Sequence, residues 1–443
     1  MWWFAVIFLY NAWATPQLNL VAGITLGGVS IKYYDILLYL GPILMLASLG
    51  RARTATKSHP AYVASLVLFG IAFTLASVVG FFGIQDGYLP LFIWPMRVML
   101  TTIIAIYMGY RVLQHPAQCR TLFWIVFIGS LGSALIAVFI GGETTATIAS
   151  TASSSSFNDL RTSALAVTGD AGLLAACVCI FAMVQGLGLL PKAITLPGLL
   201  IAAAGMFFIP HRSHWLANFL TCLFAAFWLW PRRLGRKIIL TGTVCAGLLL
   251  VAGIATSIVQ TETNRDFGGW VQKRLQSMLP DDTSNEHRAW DTRTPGLVYD
   301  LNLWLHSPLY GGGFGIHEAN ALRTGNFVDF RHTPWTSTLA ETGLIGFAAY
   351  ATLIGGMIIL GTRLARTAPD RWMMLLAAAI ACHGIVSFIF GCFTFSWNLP
   401  RPALTLGLFG GLIFRCRDLA SNAGPEAQYL PLKGSQFEHT WNG

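Results

Sequence analysis

Residues 61–81 read AYVASLVLFGIAFTLASVVGF, an apolar run without a single charged side chain. A run of about 20 such residues is the length that a helix needs to cross a hydrocarbon core of roughly 30 Å. Similar runs recur along most of the chain, which has 443 residues, 55% of them hydrophobic and only 11% charged. So few charges do not coat a water-soluble globule of this size. The sequence therefore predicts an all-α protein that spans a membrane.

The continuity of these runs argues against a membrane β-barrel. Barrel strands show alternating segments of about ten residues, whereas the runs here are unbroken. We therefore predict a single transmembrane domain over residues 1–443 with about 12 helices. They are expected at residues 2–20, 31–50, 61–81, 91–110, 121–141, 163–190, 194–209, 214–230, 238–258, 338–361, 372–396 and 402–416.

The basic residues predict which loops face the cytoplasm. With these helices, the basic clusters fall in alternate loops and so on one face, as Lys and Arg do in cytoplasmic loops. Both termini, including a tail at residues 418–443, are then inside the cell. Topology also accounts for much of the net charge of +9, so no nucleic-acid partner is expected. The clusters are Arg51, Arg53 and Lys57; Arg111 and Arg120; Lys192; Arg232, Arg233, Arg236 and Lys237; Arg363, Arg366 and Arg371; Arg415 and Arg417.

Two polar segments are predicted on the extracytoplasmic side. One is a Ser/Thr-rich loop at residues 142–162, and the other is a long loop at residues 259–337. The long loop exceeds what a simple connector needs. Apolar side chains with helical spacing predict a short helix in it that lies along the membrane surface. These side chains are Leu297, Leu301, Trp304 and Leu305.

The arginines on that side are informative, because the positive-inside tendency does not place them there. Arg212 is the most unusual, since it stands between two apolar helices in FFIPHRSHWLANFL with almost no loop around it. Converging arginines could hold a diphosphate without a metal, because the guanidinium fork matches pairs of phosphate oxygens. Alternatively, Arg212 caps a helix turn or pairs with an acid. For the loop arginines, solvated pairs with the loop acids, Asp300 among them, are the default.

A second informative segment is LHSPLYGGGFGIHEANALRTGNFVDFRHTPWTSTLAETGLIGF, residues 305–347. Its glycines permit a tight turn, but no GK[ST] follows, which excludes a P-loop. His332 stands just before a membrane helix, at the depth of a lipid headgroup. A neutral imidazole there could take a proton from a sugar hydroxyl. The alternative is a histidine that only forms hydrogen bonds at the interface.

These residues resemble the signature region of the O-antigen ligase and O-antigen polymerase family, membrane glycosyltransferases that use lipid diphosphates. In that pattern an arginine, here Arg293, precedes a PLxGxGxG turn. A histidine then starts a segment that ends in E-x-G-L-x-G, which corresponds to His332, Glu341 and Gly343. HRSHWL around Arg212 is similar to the SRxxWL helix start of the family.

Some positions depart from the family pattern. Thr333 follows His332 where Asn is usual, and His211 replaces the serine before Arg212. The tryptophan expected after the loop arginine is Leu297. This last departure leaves Arg288, which is followed closely by Trp290, as a rival to Arg293. The sequence does not decide between the two arginines.

The resemblance implies a GT-C-like fold and an enzyme that works without a cofactor or a metal. It would transfer a glycan, with inversion, from undecaprenyl diphosphate to an acceptor hydroxyl. The acceptor is lipid A core for a ligase, which general resemblance favours, and another glycan repeat for a polymerase. His332 would be the general base, and Arg212 with Arg293 or Arg288 would bind the diphosphate. The supporting residues expected are Arg97, Arg331 and Glu341.

The same resemblance implies a multi-pass protein of the bacterial inner membrane, in contact with membrane lipid, whose active site faces the periplasm. The alternative from another functional class is a transporter or flippase of lipid-linked glycans. Such proteins carry ionisable residues near the bilayer midplane and inverted repeats. Here the midplane candidates are few, chiefly Asp170 and His383.

Overall fold

The structure is a computed structural model, and it is almost wholly helical, as predicted. The residues that it describes are 1–13, 23–26, 29–32, 40, 59–83, 89–150, 193, 197–198, 201–202, 205, 212–229, 289–317, 333–393 and 400–422. Predicted features outside these ranges, including Asp170 and most of the long loop, are not described.

Nine α-helices and one pair of strands form the longer elements of the described part. A π-helical turn, Ala225–Leu229, continues the fifth helix. In chain order the elements are α1 (Trp2–Trp13), β1 (Gly23–Leu26), β2 (Val29–Lys32), α2 (Pro60–Gly83), α3 (Leu89–Val112), α4 (Gln118–Ser150), α5 (Arg212–Phe224), α6 (Ala289–His306), α7 (Pro334–Thr367), α8 (Arg371–Phe393) and α9 (Pro400–Asn422).

Four of the described helices are long and apolar enough to cross a membrane: α2, the Gln118–Ile136 part of α4, α7 and α8. On α2, Phe69 and Ala76 are buried, while Val67 is 52% exposed on another face. A helix that is apolar on its exposed face as well as its buried one needs lipid around it. The predicted class of helical membrane protein is thereby confirmed. The count of about 12 helices and the GT-C-like topology stay predictions.

The helices α3 and α9 pack together with their backbones almost in contact. A Cβ added at Gly411 would lie 2.0 Å from the carbonyl oxygen of Ile106, and one at Gly109 would lie 2.1 Å from that of Leu408. Gly407 and Gly411 have the G-x-x-x-G spacing that lets membrane helices approach closely. This pair forms the centre against which α2 and α7 pack.

The strand pair corrects the predicted start of the second helix. β1 and β2 are antiparallel, with Gly23 opposite Lys32 and Leu26 opposite Val29, so the helix predicted over residues 31–50 does not begin at residue 31. The sequence GITLGGVSIK carries a hairpin signal, because Gly-Gly separates two runs rich in β-branched residues.

Several described helices extend beyond their predicted ends, among them α7, which continues to Thr367 instead of ending at residue 361. α4 continues to Ser150, into the segment predicted as a polar loop, since prolonging an existing helix costs less than starting one. α9 continues to Asn422, into the predicted tail. The reason is Asp418, which is only 4% exposed and accepts hydrogen bonds from the Tyr110 hydroxyl and from the backbone N–H of His59, the latter at 3.1 Å.

Candidate active site

The glycine segment after α6 forms a turn with left-handed backbone at every second residue. Gly311, Gly313 and Gly315 have φ angles of 73°, 88° and 80°. Residues with a Cβ rarely adopt these angles, whereas glycine adopts them freely. These are the three glycines of the PLxGxGxG pattern, and their conformation is the physical reason for its alternation.

This turn is hydrogen-bonded to a kink in α7. At Gly343, φ is 64° and ψ is −162°, so the helix is interrupted there. Peptide groups on both sides of the kink pair with the turn instead of completing the helix. The donors and acceptors are Gly312 N–H to Ala340 O (2.7 Å), Gly313 N–H to Glu341 O (3.0 Å), Leu344 N–H to Pro308 O (2.9 Å) and Ile345 N–H to Leu309 O (3.3 Å). Residues 308–313 and 340–345 are called the turn–kink joint below.

The turn–kink joint also lies directly on α2. The N–H of Phe314 donates to the carbonyl of Ala76 at 3.0 Å. A Cβ on Gly313 would be 2.2 Å from the nitrogen of Gly80, and a Cβ on Gly80 would be 2.6 Å from the oxygen of Phe314. Glycine is therefore required on both sides of this contact.

A buried carboxylate provides a second connection between α6 and α7. Asp300 of α6 has 0% exposed surface. Its Oδ2 accepts hydrogen bonds from the Thr336 hydroxyl at 2.7 Å and from the Ser337 hydroxyl at 3.3 Å, both on the first turn of α7. Its Oδ1 faces Nδ1 of His317 at 3.3 Å, an electrostatic contact without the angle of a hydrogen bond. Burial raises the pKa of Asp300, while His317 and the two hydroxyls act in the opposite direction.

The position of Asp300 corrects the expectation that the loop acids are solvated. α6 confirms the predicted helix in the long loop, with Leu297 and Leu305 37% and 62% exposed. Because the leucine face of α6 points outward, a different face of this helix, the one that carries Asp300, packs against the protein. If the predicted apolar face lies along the membrane, the other face of the helix is left for contact with the protein, and Asp300 lies on that face. That α6 lies on the membrane surface stays a prediction.

Two of the predicted diphosphate ligands fall in described helices, and each lies at or near the start of its helix. Arg212 is the first residue of α5, and Arg293 is near the start of α6, although their side chains are outside the described part. Arg288, Arg331 and His332 also lie outside it. The structure therefore brings α6, which carries Arg293, next to the start of α7, which follows His332 in the chain. Convergence of the arginines on His332 stays a prediction.

The two other supporting residues are described. Arg97 of α3 and Glu341 of α7 are half-buried, and both interact with neighbouring groups. Glu341 contributes its carbonyl to the turn–kink joint. Within the described ranges, no three His, Cys, Asp or Glu side chains are grouped as metal ligands. Metal independence itself stays a prediction.

A comparison with known protein families indicates the class of protein to which the fold and the site belong. The fold and the site define a helical membrane protein whose long loop is fastened to a membrane helix. A family model described as O-antigen ligase matches residues 197–351, a segment that contains Arg212, His332 and both parts of the turn–kink joint. Through this segment the chain resembles the O-antigen ligase family, in agreement with the predicted resemblance. No curated protein matches the chain.

The family match indicates the function at a coarse level. The family consists of glycosyltransferase-like enzymes, and it indicates activity of the ligase or polymerase type. For this family, the general partners are a lipid-linked glycan and an acceptor.

Proposed function

We propose that the protein is a glycosyltransferase that moves a glycan from undecaprenyl diphosphate to a hydroxyl of lipid A core. The site faces the periplasm at the inner membrane of a bacterium. The family match across residues 197–351 carries this proposal, since it contains every predicted catalytic and diphosphate-binding residue. The turn–kink joint and Asp300 support it, because they fasten α6 to α7 beside the position of His332 in the chain.

The proposed reaction is a single displacement. The acceptor oxygen attacks the anomeric carbon, the bond from that carbon to the diphosphate oxygen breaks, and the configuration inverts. His332 takes the proton of the acceptor hydroxyl. The adjacent Arg331 disfavours a second positive charge and so keeps the imidazole neutral before the reaction.

Charge accumulates on the departing undecaprenyl diphosphate. Arg212, together with Arg293 or Arg288, stabilises this charge through paired hydrogen bonds to phosphate oxygens. The arginines supply positive charge where other transferases use a cation, so the proposal includes neither a metal nor a cofactor. Arg97 and Glu341 act as supporting residues.

The exposed side chains near the turn–kink joint fit a lipid-linked donor. Leu305, Leu309 and Tyr310 are 62%, 63% and 44% exposed. Apolar side chains in such a group are covered when a bilayer lies against them. A donor held in that bilayer would present its diphosphate beside the start of α7.

The test is transfer by the purified protein. Wild type, incubated with undecaprenyl-diphosphate-linked glycan and rough lipopolysaccharide, should place glycan on the lipopolysaccharide. His332→Ala should lose at least about 100-fold in rate while remaining folded and inserted. The matched control is His306→Ala. His306 is exposed at the end of α6, and among the described residues its side chain bonds Asn302 of its own helix. This variant should retain activity.

Other outcomes contradict separate parts of the proposal. Full activity of His332→Ala rules out the base assignment. Growth of the lipid-linked chain, with no product on lipopolysaccharide, identifies a polymerase. Loss of transfer in EDTA that a divalent cation restores contradicts metal independence.

A further inference from the structure

Asp300 is a buried ionisable group that the proposed reaction does not use. A carboxylate with no exposed surface is costly unless it is paired and hydrogen-bonded. Well-packed apolar residues often stabilise such a position equally well. An aspartate at this position therefore calls for an explanation in terms of what it holds in place. It is contacted by His317, from the end of the glycine turn, and by Thr336 and Ser337, from the first turn of α7.

The hydroxyl groups form a chain that leads from Asp300 toward His332. The Thr336 hydroxyl has one proton, which it can give to Asp300 Oδ2 at 2.7 Å or to the Thr333 carbonyl at 3.0 Å. The shorter bond to a carboxylate is favoured. The Thr333 hydroxyl then donates to Oγ of Thr336 at 2.5 Å. Thr333 is the residue that directly follows His332.

The start of α7 has no side-chain cap of its own. Thr333 occupies the N-cap position, but its hydroxyl makes no capping hydrogen bond to the backbone. A cap of this kind normally satisfies a free N–H group and fixes the first helical turn. Here the first turn is held from outside instead, by the carboxylate of another helix.

We infer that Asp300 is a positioning residue, which acts through Thr336 to hold the start of α7 and thereby the His332 imidazole in the place that transfer requires. This inference rests on the proposed function, in which His332 is the base. Geometry of this kind matters for rate, because a displacement of about 1 Å at a reacting group can cost on the order of 100-fold.

Substitution of Thr336 tests the inference with little change of shape. Thr336→Val removes the hydroxyl, and Thr336→Ser keeps it. In the transfer assay, Thr336→Val should lower kcat by about 10- to 100-fold, with KM for the lipid-linked donor changed less than about threefold. Thr336→Ser should restore kcat to within about threefold of wild type. The matched control is Thr367→Val, at the exposed far end of the same helix, which should retain wild-type kcat.

A second measurement reads the position of His332 without activity. Histidines are labelled with 15N in the full-length protein in nanodiscs, and the His332 signal is assigned by its loss in His332→Ala. Thr336→Val should shift or broaden that signal, whereas Thr336→Ser and Thr367→Val should leave it in place.

The outcomes separate the two proposals. Absence of transfer by wild type overturns the proposed function. Transfer by wild type with an unchanged kcat in Thr336→Val overturns the positioning role alone. An unchanged His332 signal in Thr336→Val overturns that role as well, whatever the activity.

Discussion

The buried environment of Asp300 couples protonation of its carboxyl to folding of the protein. The groups that face its carboxyl are the His317 imidazole and the Thr336 and Ser337 hydroxyls. Burial raises the pKa of Asp300 above the ordinary value of 3.8. The folded protein then binds this proton more tightly than the unfolded protein does. The contribution of Asp300 to stability therefore falls as the pH rises from that ordinary value through the raised one.

The prediction at this scale concerns Asp300→Asn, which does not ionise. The difference in Tm between the variant and wild type, measured in nanodiscs from pH 4 to pH 8, should change in favour of the variant as the pH rises. The comparison is repeated in a His317→Gln background, because this imidazole contacts the substituted carboxyl. Titrating groups that do not contact residue 300 are common to both proteins and cancel in the difference. Parallel curves over the whole range would show that Asp300 has the same pKa in the folded and the unfolded chain.

The turn–kink joint explains two sequence patterns as one structural element. The alternating glycines and the E-x-G segment lie about 30 residues apart in sequence, yet each provides the hydrogen-bond partners that the other lacks. The patterns could be recognised from the sequence through family resemblance. Their pairing could not, since no local signal specifies a backbone contact over that distance.

Two glycine substitutions, one in the turn–kink joint and one farther along α7, should have opposite effects on stability. Gly311→Ala places a Cβ at a φ of 73° and 2.4 Å from the carbonyl carbon of Glu341. It should cost about 1–3 kcal/mol or more of unfolding free energy. Gly355→Ala places a Cβ on α7 that meets no atom within 4 Å apart from its chain neighbours and the backbone of its own helix, so it should stabilise the helix by roughly 0.5–1 kcal/mol. Thermal unfolding in detergent measures both changes. Equal effects of the two substitutions would contradict the structural role of Gly311.

The start of α7 and the strand pair are both marked by local sequence signals. Pro334 occupies a first-turn position of α7, a recognised helix start, and marks the boundary better than hydropathy does. The hairpin is likewise indicated by Gly27 and Gly28 between its strands. In contrast, the burial of Asp300 depends on residues from α7 and from the glycine turn. Only the assembled fold brings these groups together.

For the whole molecule, the composition was sufficient to predict a helical membrane protein, because class depends on many residues at once. The orientation rests on the basic clusters, which lie in alternate predicted loops. One of these residues also has a structural role. Arg415 is only 8% exposed, and its Nε donates to the carbonyl of Leu113 at 2.8 Å.

Orientation can be tested by labelling from one side of the membrane. Ser284→Cys lies in the predicted extracytoplasmic loop, and Ser435→Cys lies in the predicted tail. A membrane-impermeant maleimide should label the first in intact spheroplasts and the second only after permeabilisation. The wild-type chain, with its own eight cysteines, is the control. Labelling of Ser435→Cys in intact spheroplasts, before permeabilisation, would contradict the predicted topology and with it the proposed periplasmic site.

Two sets of contacts connect α6 and the following turn to α7: the turn–kink joint and the hydrogen bonds of Asp300. They differ in how they respond to pH and salt. The turn–kink joint consists of main-chain amides, which have no proton to lose near neutral pH and no net charge for salt to screen. The periplasm, where the proposed function places this region, varies in acidity and ionic strength. The turn–kink joint should therefore persist under conditions that weaken an ion pair. Among the described residues of this region, acidity should act chiefly through the buried carboxyl of Asp300.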